Sequence, residues 1–177
     1  MSAVLGIDPG GPGGAVLLDG RGRLVWAVSW KANRRGWKLS TWTGGAVIDD
    51  QLAGRASAIG QHLADRVPGS MLLACEDVFV HRQRPNVRTT VSLARFGGAI
   101  TAPIEAIAGT SADFVQAAVW RRSVLGLSPF TKRADAKAAA LRYIPAMVPG
   151  LGAALEALGP LDHLADAAGI ALHRQRT

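Results

Sequence analysis

Short apolar runs separated by glycine-containing turns open the chain. Residues 3–7, 14–18 and 24–28 each form such a run, and the sequence Asp19-Gly20-Arg21-Gly22 joins the second run to the third. Short apolar runs bounded by turn residues are typical of buried strands, and a connection containing glycine is typical of a β-hairpin. The pattern therefore predicts that the chain begins with three antiparallel strands.

The next part of the chain changes from a polar to a helical pattern. Residues 31–45 are polar and basic and carry tryptophan, which predicts a loop or an extension. Apolar residues at helical spacing predict a helix over residues 51–66, ended by Pro68-Gly69. The apolar run at residues 71–78 predicts a fourth strand. A strand–helix–strand crossover would place this strand beside the first one.

Loops and helices are predicted for the rest of the chain, with one further strand. Residues 81–86 predict a basic loop, and a helix follows to about residue 107, with Pro103 expected to kink or shorten it. A short fifth strand is predicted at residues 113–116. Further helices are predicted at residues 117–125, 135–143 and 161–173, with breaks at residues 128–133 and 145–150. Neither a repeat nor a second core is indicated, so we expect one α/β domain over residues 1–177.

The charge of the chain favours a polyanionic partner. Lys and Arg number 20 against 13 Asp and Glu, a net charge of +7. Such an excess favours nucleic acid over a membrane surface, with a basic but inert surface as the alternative. A hydrophobic fraction of 49% argues against disorder.

Cysteine content and hydropathy indicate a protein of the cell interior. Cys75 is the single cysteine, so an intramolecular disulfide is excluded, and its apolar neighbours predict a buried thiol. No apolar stretch approaches the roughly 20 residues that span a bilayer, and the N-terminal segment lacks the layout of a signal peptide. We therefore expect a soluble, cytoplasmic protein that does not bind membranes.

Three acidic residues lie in apolar surroundings. Asp8 ends the first strand, Glu76 lies inside the fourth strand, and Asp166 lies on an alanine-rich helix. A buried ionised carboxylate is costly unless it is paired or binds a metal ion. Each carboxylate also has a purely structural explanation. Asp8 could cap a turn, Glu76 could pair with an arginine, and Asp166 could interact favourably with the N-terminal end of its helix dipole.

Taken together, the carboxylates suggest a metal site. Asp8 and Glu76 would project from neighbouring strands, and a helix carrying Asp162, His163 and Asp166 would add further ligands if it packed on the sheet. Sites rich in carboxylates suit Mg²⁺ or Mn²⁺. Two such ions can activate water and stabilise the leaving oxygen in phosphodiester hydrolysis.

Several segments resemble the successive motifs of RuvC-type Holliday junction resolvases, which are members of the ribonuclease H-like superfamily. The resemblance rests on five segments in family order and covers nearly the whole chain. They are Gly6-Ile7-Asp8-Pro9-Gly10, Glu76-Asp77-Val78-Phe79, residues 86–98, residues 120–126 followed by Lys137, and His163-Leu164-Ala165-Asp166-Ala167.

The resemblance implies an α/β ribonuclease H-like fold, with a five-stranded mixed sheet of order 3-2-1-4-5 flanked by helices. It implies a homodimer that nicks paired strands of a four-way DNA junction with Mg²⁺, for which Mn²⁺ can substitute, using two ions in each active site. Asp8, Glu76 and Asp166 match three acidic ligands, and His163 matches the fourth. The neighbouring Asp162 is the alternative fourth ligand.

The chain also departs from the family pattern. The residues after the first motif, Gly11-Pro12-Gly13-Gly14, differ from the usual ones, and the segments at residues 30–45 and 130–133 are unusual. These differences suit a divergent, phage-type relative.

Basic and aromatic residues near these motifs are candidates for DNA contact. Phe79 either stacks on an unpaired base or belongs to the core. Trp26, Trp30, Trp37 and Trp42 favour packing or a dimer contact over base stacking. The cationic candidates, which would bind phosphates, are Arg82, Arg84, Arg121, Arg122, Lys132 and Lys137.

The sequence thus predicts a structure-selective endonuclease that resolves Holliday junctions. One alternative is a related nuclease that acts on flaps, forks or RNA–DNA hybrids, and another is a non-catalytic protein that binds junctions. A small ATPase of the actin-like fold would need further glycine-rich phosphate-binding motifs and usually a longer chain.

Overall fold

The protein is an α/β structure whose central sheet carries helices on both faces. The computed structural model describes residues 2–77, 87–159 and 161–177, and only the backbone of residues 87–89. Its strands are β1 (Ala3–Asp8), β2 (Pro12–Leu18), β3 (Leu24–Asn33), β4 (Gly36–Thr43), β5 (Ala46–Leu52), β6 (Met71–Asp77) and β7 (Ala112–Gln116). Its helices are α1 (Ala56–Ala64), α2 (Val87–Ala108), α3 (Ala117–Leu125), α4 (Arg133–Met147), α5 (Leu151–Leu158) and α6 (Asp162–Arg176).

The sheet is mixed, with seven strands in the order β5-β4-β3-β2-β1-β6-β7. Strands β1 to β5 pair antiparallel in sequence order, whereas β6 pairs parallel with β1 and β7 parallel with β6. The predicted strands are present in the predicted relative order, because β3-β2-β1-β6-β7 forms a continuous part of the sheet. The predicted strand number of five is wrong, because two further strands extend the β3 edge.

The two additional strands account for the errors in the first third of the chain. The predicted loop at residues 31–45 is instead the end of β3, a turn and β4, and residues 51–52 end β5 rather than begin a helix. Strand β5 lies at the edge of the sheet and is mostly exposed. A strand that faces solvent has no need of a continuous apolar run, so its sequence looks like that of a loop.

The end of α4 and the additional helix α5 differ from the predictions, whereas α2 ends close to the predicted residue 107. Helix α4 runs through Pro145 to Met147, and α5 follows at Leu151–Leu158, where no helix was predicted. Helix α2 continues past Pro103 to Ala108, so this proline does not end the helix. No helix in the described part of the chain is long and apolar enough to cross a membrane.

Side chains that alternate along the central strands form two cores, one on each face of the sheet. In β1, Val4 belongs to the core under α3, α4, α5 and α6, whereas Leu5 and Ile7 belong to the core under α1 and α2. In β6, Ala74 belongs to the first core, and Cys75 is a buried free thiol in the second, as predicted. This alternation decides on which face of the sheet the acidic residue near the end of each strand lies.

The tryptophans of the first third of the chain pack within the molecule, which is one of the two roles that the sequence predicted for them. Trp26, Trp30 and Trp42 are buried. The ring of Trp37 lies 5.1 Å from that of Phe96 on α2, measured between centroids. These residues therefore fix the β3–β4 part of the sheet to its neighbours.

Candidate active site

Asp8 and Glu76 lie at the same level on the same face of the sheet. Parallel pairing places Ile7 opposite Cys75. Asp8 and Glu76 are the next residues on the two strands, so they also lie opposite each other. Successive side chains of a strand point to opposite faces. Asp8 therefore shares a face with Gly6, and Glu76 shares the same face with Ala74, which contacts the core beneath α6.

Helix α6 brings the third carboxylate to this face because glycines allow it to pack closely. A Cβ atom at Gly6 would lie 2.1 Å from the backbone oxygen of Ala167, so only glycine fits under the helix there. On the opposite side of α6, a Cβ atom at Gly169 would lie 2.4 Å from the ring of Trp120. Asp166 is consequently buried, with a relative exposure of 4%.

The three carboxylates share one cavity of about 700 Å³. Asp8, Glu76 and Asp166 all line it. Its remaining walls come from the turn after β1, from α2, from β7 and α3, and from the segment that leads into α4. These include the cationic residues Arg121, Arg133 and Lys137.

Burial and mutual repulsion make this cavity unfavourable for negative charge. Burial raises the pKa of Asp8 well above its usual value, and the charges of Glu76 and Asp166 raise it further. The backbone N–H of Gly10 donates a 3.3 Å hydrogen bond to Asp8 Oδ1, which opposes the rise only in part. A cation bound near these oxygens would therefore relieve an existing electrostatic cost.

Two residues of α3 hold the other carboxylates in place. The indole Nε1 of Trp120 donates a 3.4 Å hydrogen bond to Glu76 Oε2, and Arg121 Nη2 donates a 3.0 Å bond to Asp166 Oδ2. Burial still raises the pKa of both carboxyls, so neither the arginine nor the indole compensates fully.

The candidates for a fourth ligand lie at the start of α6, and neither lines the cavity. Burial acts to raise the pKa of Asp162, but the short hydrogen bond from Lys137, the charge of Lys137 and the neighbouring His163 together lower it below its usual value. His163 is buried against Gly14, the residue paired with Asp8 on β2. Its Nε2 atom has no hydrogen-bond partner in the described part of the protein.

The donor atoms of the cavity fit a hard divalent cation. Three carboxylates supply oxygen ligands, and the buried Oδ1 of Asp166 has no hydrogen-bond partner among the described residues. Oxygen-rich sites suit Mg²⁺ and Mn²⁺. Over residues 2–77, 87–159 and 161–177, however, no three His, Cys, Asp or Glu side chains are already close enough to enclose an ion. Arg121 supplies the positive charge at Asp166 instead.

The predicted DNA-binding residues separate into three groups. Arg121 and Lys137 line the cavity, whereas Arg122 and Lys132 are exposed outside its lining. The predicted contacts Phe79, Arg82 and Arg84 lie outside the described residues.

Two residues of the site were not singled out from the sequence. Arg133 lines the cavity, and its charge opposes in part the rise that burial causes in the pKa of Glu76. The indole hydrogen bond of Trp120 to Glu76 depends on the packing of α3 against α6. The position of Arg133 directly after the predicted contact Lys132 was a signal in the sequence, but no pattern indicated the hydrogen bond of Trp120.

Comparison with known proteins gives a match of fold. No protein-family model matches the sequence, and no curated protein does. A solved structure of Thermus thermophilus RuvC in complex with a Holliday junction substrate is similar, with a TM-score of 0.50 and 18% sequence identity, over 98% of this chain and 92% of that chain. Another structure of T. thermophilus RuvC has a TM-score of 0.49 and 18% identity, over 97% of this chain and 92% of that chain.

The chain has the fold of RuvC. This result agrees with the prediction of an α/β fold with a mixed sheet. The sheet differs from the prediction only in its two additional strands, β4 and β5.

Proposed function

We propose that the protein is a metal-dependent endonuclease that cleaves branched DNA and resolves four-way junctions. The observation that carries this proposal is that three carboxylates, from β1, β6 and α6, line one cavity that also has cationic walls. A cavity with carboxylates inside and cations around them can accept a phosphate group together with divalent cations.

The residues of the chain divide this work between them. Asp8, Glu76 and Asp166 would hold the ions, and Mg²⁺ or Mn²⁺ would supply an activated water and stabilise the departing oxygen. Arg133 and Lys137 would position the phosphodiester by its charge. Trp120 orients the Glu76 carboxylate through its hydrogen bond.

Arg121 has two possible partners in this scheme. Its guanidinium donates to Asp166 and also lines the cavity. Phosphate is a strong acceptor for arginine. We therefore assign Arg121 to both the carboxylate and the bound DNA strand.

Branched DNA is the substrate that the fold favours. The chain shares its fold, over almost its full length, with a RuvC structure described as bound to a Holliday junction substrate. The net charge of +7 supports a polyanionic substrate of any shape. We further propose a homodimer, because resolving a junction requires paired cuts in two strands.

A cleavage assay on several labelled substrates tests the proposal. The protein is incubated with a four-way junction, a flap, a fork, a duplex and an RNA–DNA hybrid, each in Mg²⁺, in Mn²⁺ and in EDTA. We expect paired nicks in the junction that require a divalent cation. Sedimentation analysis of the same protein should show a dimer.

Matched variants connect the activity to the cavity. Asp8→Asn and Glu76→Gln keep the size of each side chain and remove its charge, so they should abolish cutting and leave junction binding intact. Substantial Mg²⁺-dependent cutting by either variant would refute the metal assignment. Preferential cutting of flaps, forks or hybrids would favour a related nuclease, and binding without cutting would favour a junction-binding protein.

A further inference from the structure

Phe130 is far more exposed than the other large apolar side chains that the structure describes. Its relative exposure is 94%, whereas Ile48, the next in order, is 49% exposed. A fully solvated aromatic ring gains nothing from the hydrophobic effect in the isolated protein. It is therefore available to a partner that can cover it.

The backbone around Phe130 is held in a defined turn. The N–H of Thr131 donates a 3.0 Å hydrogen bond to the carbonyl of Ser128, and the N–H of Phe130 donates a 3.2 Å bond to Ser128 Oγ. Pro129 takes the second position of the turn, where its fixed φ is favourable. The ring is thus presented on a constrained turn, which reduces the entropy lost on binding.

The turn lies at the edge of the carboxylate cavity. Ser128, Pro129 and Thr131 all line the cavity, while the ring of Phe130 projects into solvent. The exposed Lys132 and the cavity-lining Arg133 follow immediately in the chain. An aromatic ring beside two cations matches a partner that combines flat apolar surfaces with negative charge.

We propose that Phe130 stacks on a nucleobase that is unstacked at the branch point of the DNA, while Lys132 and Arg133 contact the adjoining phosphates. Every base offers a π-face to an aromatic ring, and a base that has left its DNA neighbours has one uncovered. A protein partner would need a broader apolar surface than this single ring. The contact would hold the branch point beside the cavity and make binding selective for DNA with unpaired bases.

This inference rests on the proposed function, and its test measures binding rather than cutting. Without divalent cation, affinities are measured for a four-way junction and for a fully paired duplex of the same length. Phe130→Ala should weaken junction binding roughly 5- to 100-fold, the range typical of one base–aromatic stack. Duplex affinity should stay within about twofold, since a paired duplex offers no unstacked base.

Replacements at the same position separate stacking from simple apolar contact. Phe130→Trp should keep the junction affinity, and Phe130→Leu should lose it as Phe130→Ala does. A junction with 2-aminopurine at branch-point positions should change in fluorescence when wild-type protein binds and its ring covers that base, and this change should be lost with Phe130→Ala. Tyr143→Ala, which removes a half-exposed ring of α4 outside the cavity lining, is the matched control and should bind like wild type.

The possible outcomes distinguish the two proposals. If wild-type protein binds and cuts junctions but Phe130→Ala binds them equally well, the stacking contact is refuted and the proposed function stands. If Phe130→Leu keeps full affinity, or if Phe130→Ala changes only the oligomeric state, the ring does not stack on a base. If wild-type protein shows no binding preference for junctions over duplex, the stacking contact is refuted, while the cleavage assay still decides the proposed function.

Discussion

Asp8 is the residue at which stability and the proposed chemistry conflict most directly. Burial raises its pKa well above the usual value, and two further carboxylates repel it within the same cavity. The folded protein without metal therefore disfavours the ionised form that a cation would require. Strain of this kind at a functional site is a common reason why proteins are less stable than their sequences permit.

We predict that Asp8→Asn stabilises the metal-free protein at neutral pH. Because the folded pKa is raised, the folded state binds a proton that the unfolded state has lost, and wild-type stability falls as pH rises from near the usual value of 3.8 through the raised pKa. Asparagine removes this cost, which we expect to be about 1–2 kcal/mol. Urea denaturation in EDTA at about pH 5 and about pH 8 measures it.

The control for this prediction is an aspartate whose pKa is shifted in the opposite direction. Asp19 is only partly buried, and backbone hydrogen bonds from Arg23 and Arg21 lower its pKa. Asp19→Asn should therefore give no stabilisation. Added Mg²⁺ should stabilise wild-type protein more than Asp8→Asn, and equal stability of the two proteins in EDTA at both pH values would contradict the electrostatic account.

Variants of His163 and Asp162 test which of the two is the fourth ligand of the proposed metal site. Asp162 is already hydrogen-bonded to Lys137, whereas burial lowers the pKa of His163, and its Nε2 atom has no partner among the described residues. We predict that His163→Ala lowers single-turnover cleavage by at least about tenfold, that His163→Asp remains active, and that Asp162→Asn has a mild effect. An inactive Asp162→Asn beside a normal His163→Ala would identify Asp162 as the ligand.

At the scale of the elements, the close packing of α6 on β1 places Asp166 over the sheet. Gly6 permits this approach, because the helix backbone occupies the space that a side chain would need. The position of Asp166 relative to Asp8 is therefore fixed by helix–sheet contact rather than by local sequence.

We predict that Gly6→Ala destabilises the protein and impairs cleavage. The new methyl group would force α6 away from the sheet, and overpacking of this kind costs about 1–3 kcal/mol or more. Gly152→Ala is the matched control, since a Cβ atom there meets nothing within 4 Å and alanine favours helix α5. It should leave cleavage unchanged and be neutral or stabilising by up to about 1 kcal/mol. Thermal melts with cleavage rates measure both effects, and a fully active, stable Gly6→Ala would contradict the packing argument.

The elements also show which parts of the structure the sequence could predict. Strands β1 and β6 are buried on both faces, so their apolar runs made them recognisable and made Asp8 and Glu76 conspicuous. Strands β4 and β5 are partly or mostly solvated, so their polar pattern resembled a loop. The roles of Trp120 and Arg133 depend on how α3 and α4 pack against the site, which no local pattern encodes.

At the scale of the whole molecule, the charges are arranged by sign. Carboxylates lie within the cavity, Arg121, Arg133 and Lys137 contribute to its walls, and the chain carries an overall excess of positive charge. Under the proposed function, this arrangement would attract a polyanion over a distance and would leave negative charge for divalent cations to neutralise. Affinity for DNA should therefore come mainly from phosphate contacts, which release counterions.

The salt dependence of DNA binding tests this arrangement. We predict that junction affinity falls steeply with added salt, and that Lys137→Ala and Arg133→Ala each reduce the slope of log affinity against log salt by about 0.9, the value for one lost phosphate contact. The loss should be similar for different junction sequences, because phosphates carry no sequence information. Arg142→Ala is the matched control, since Arg142 is exposed on the same helix α4 but does not line the cavity. A slope unchanged in both cavity variants, or an affinity insensitive to salt in wild-type protein, would mean that the cavity walls do not hold the DNA backbone.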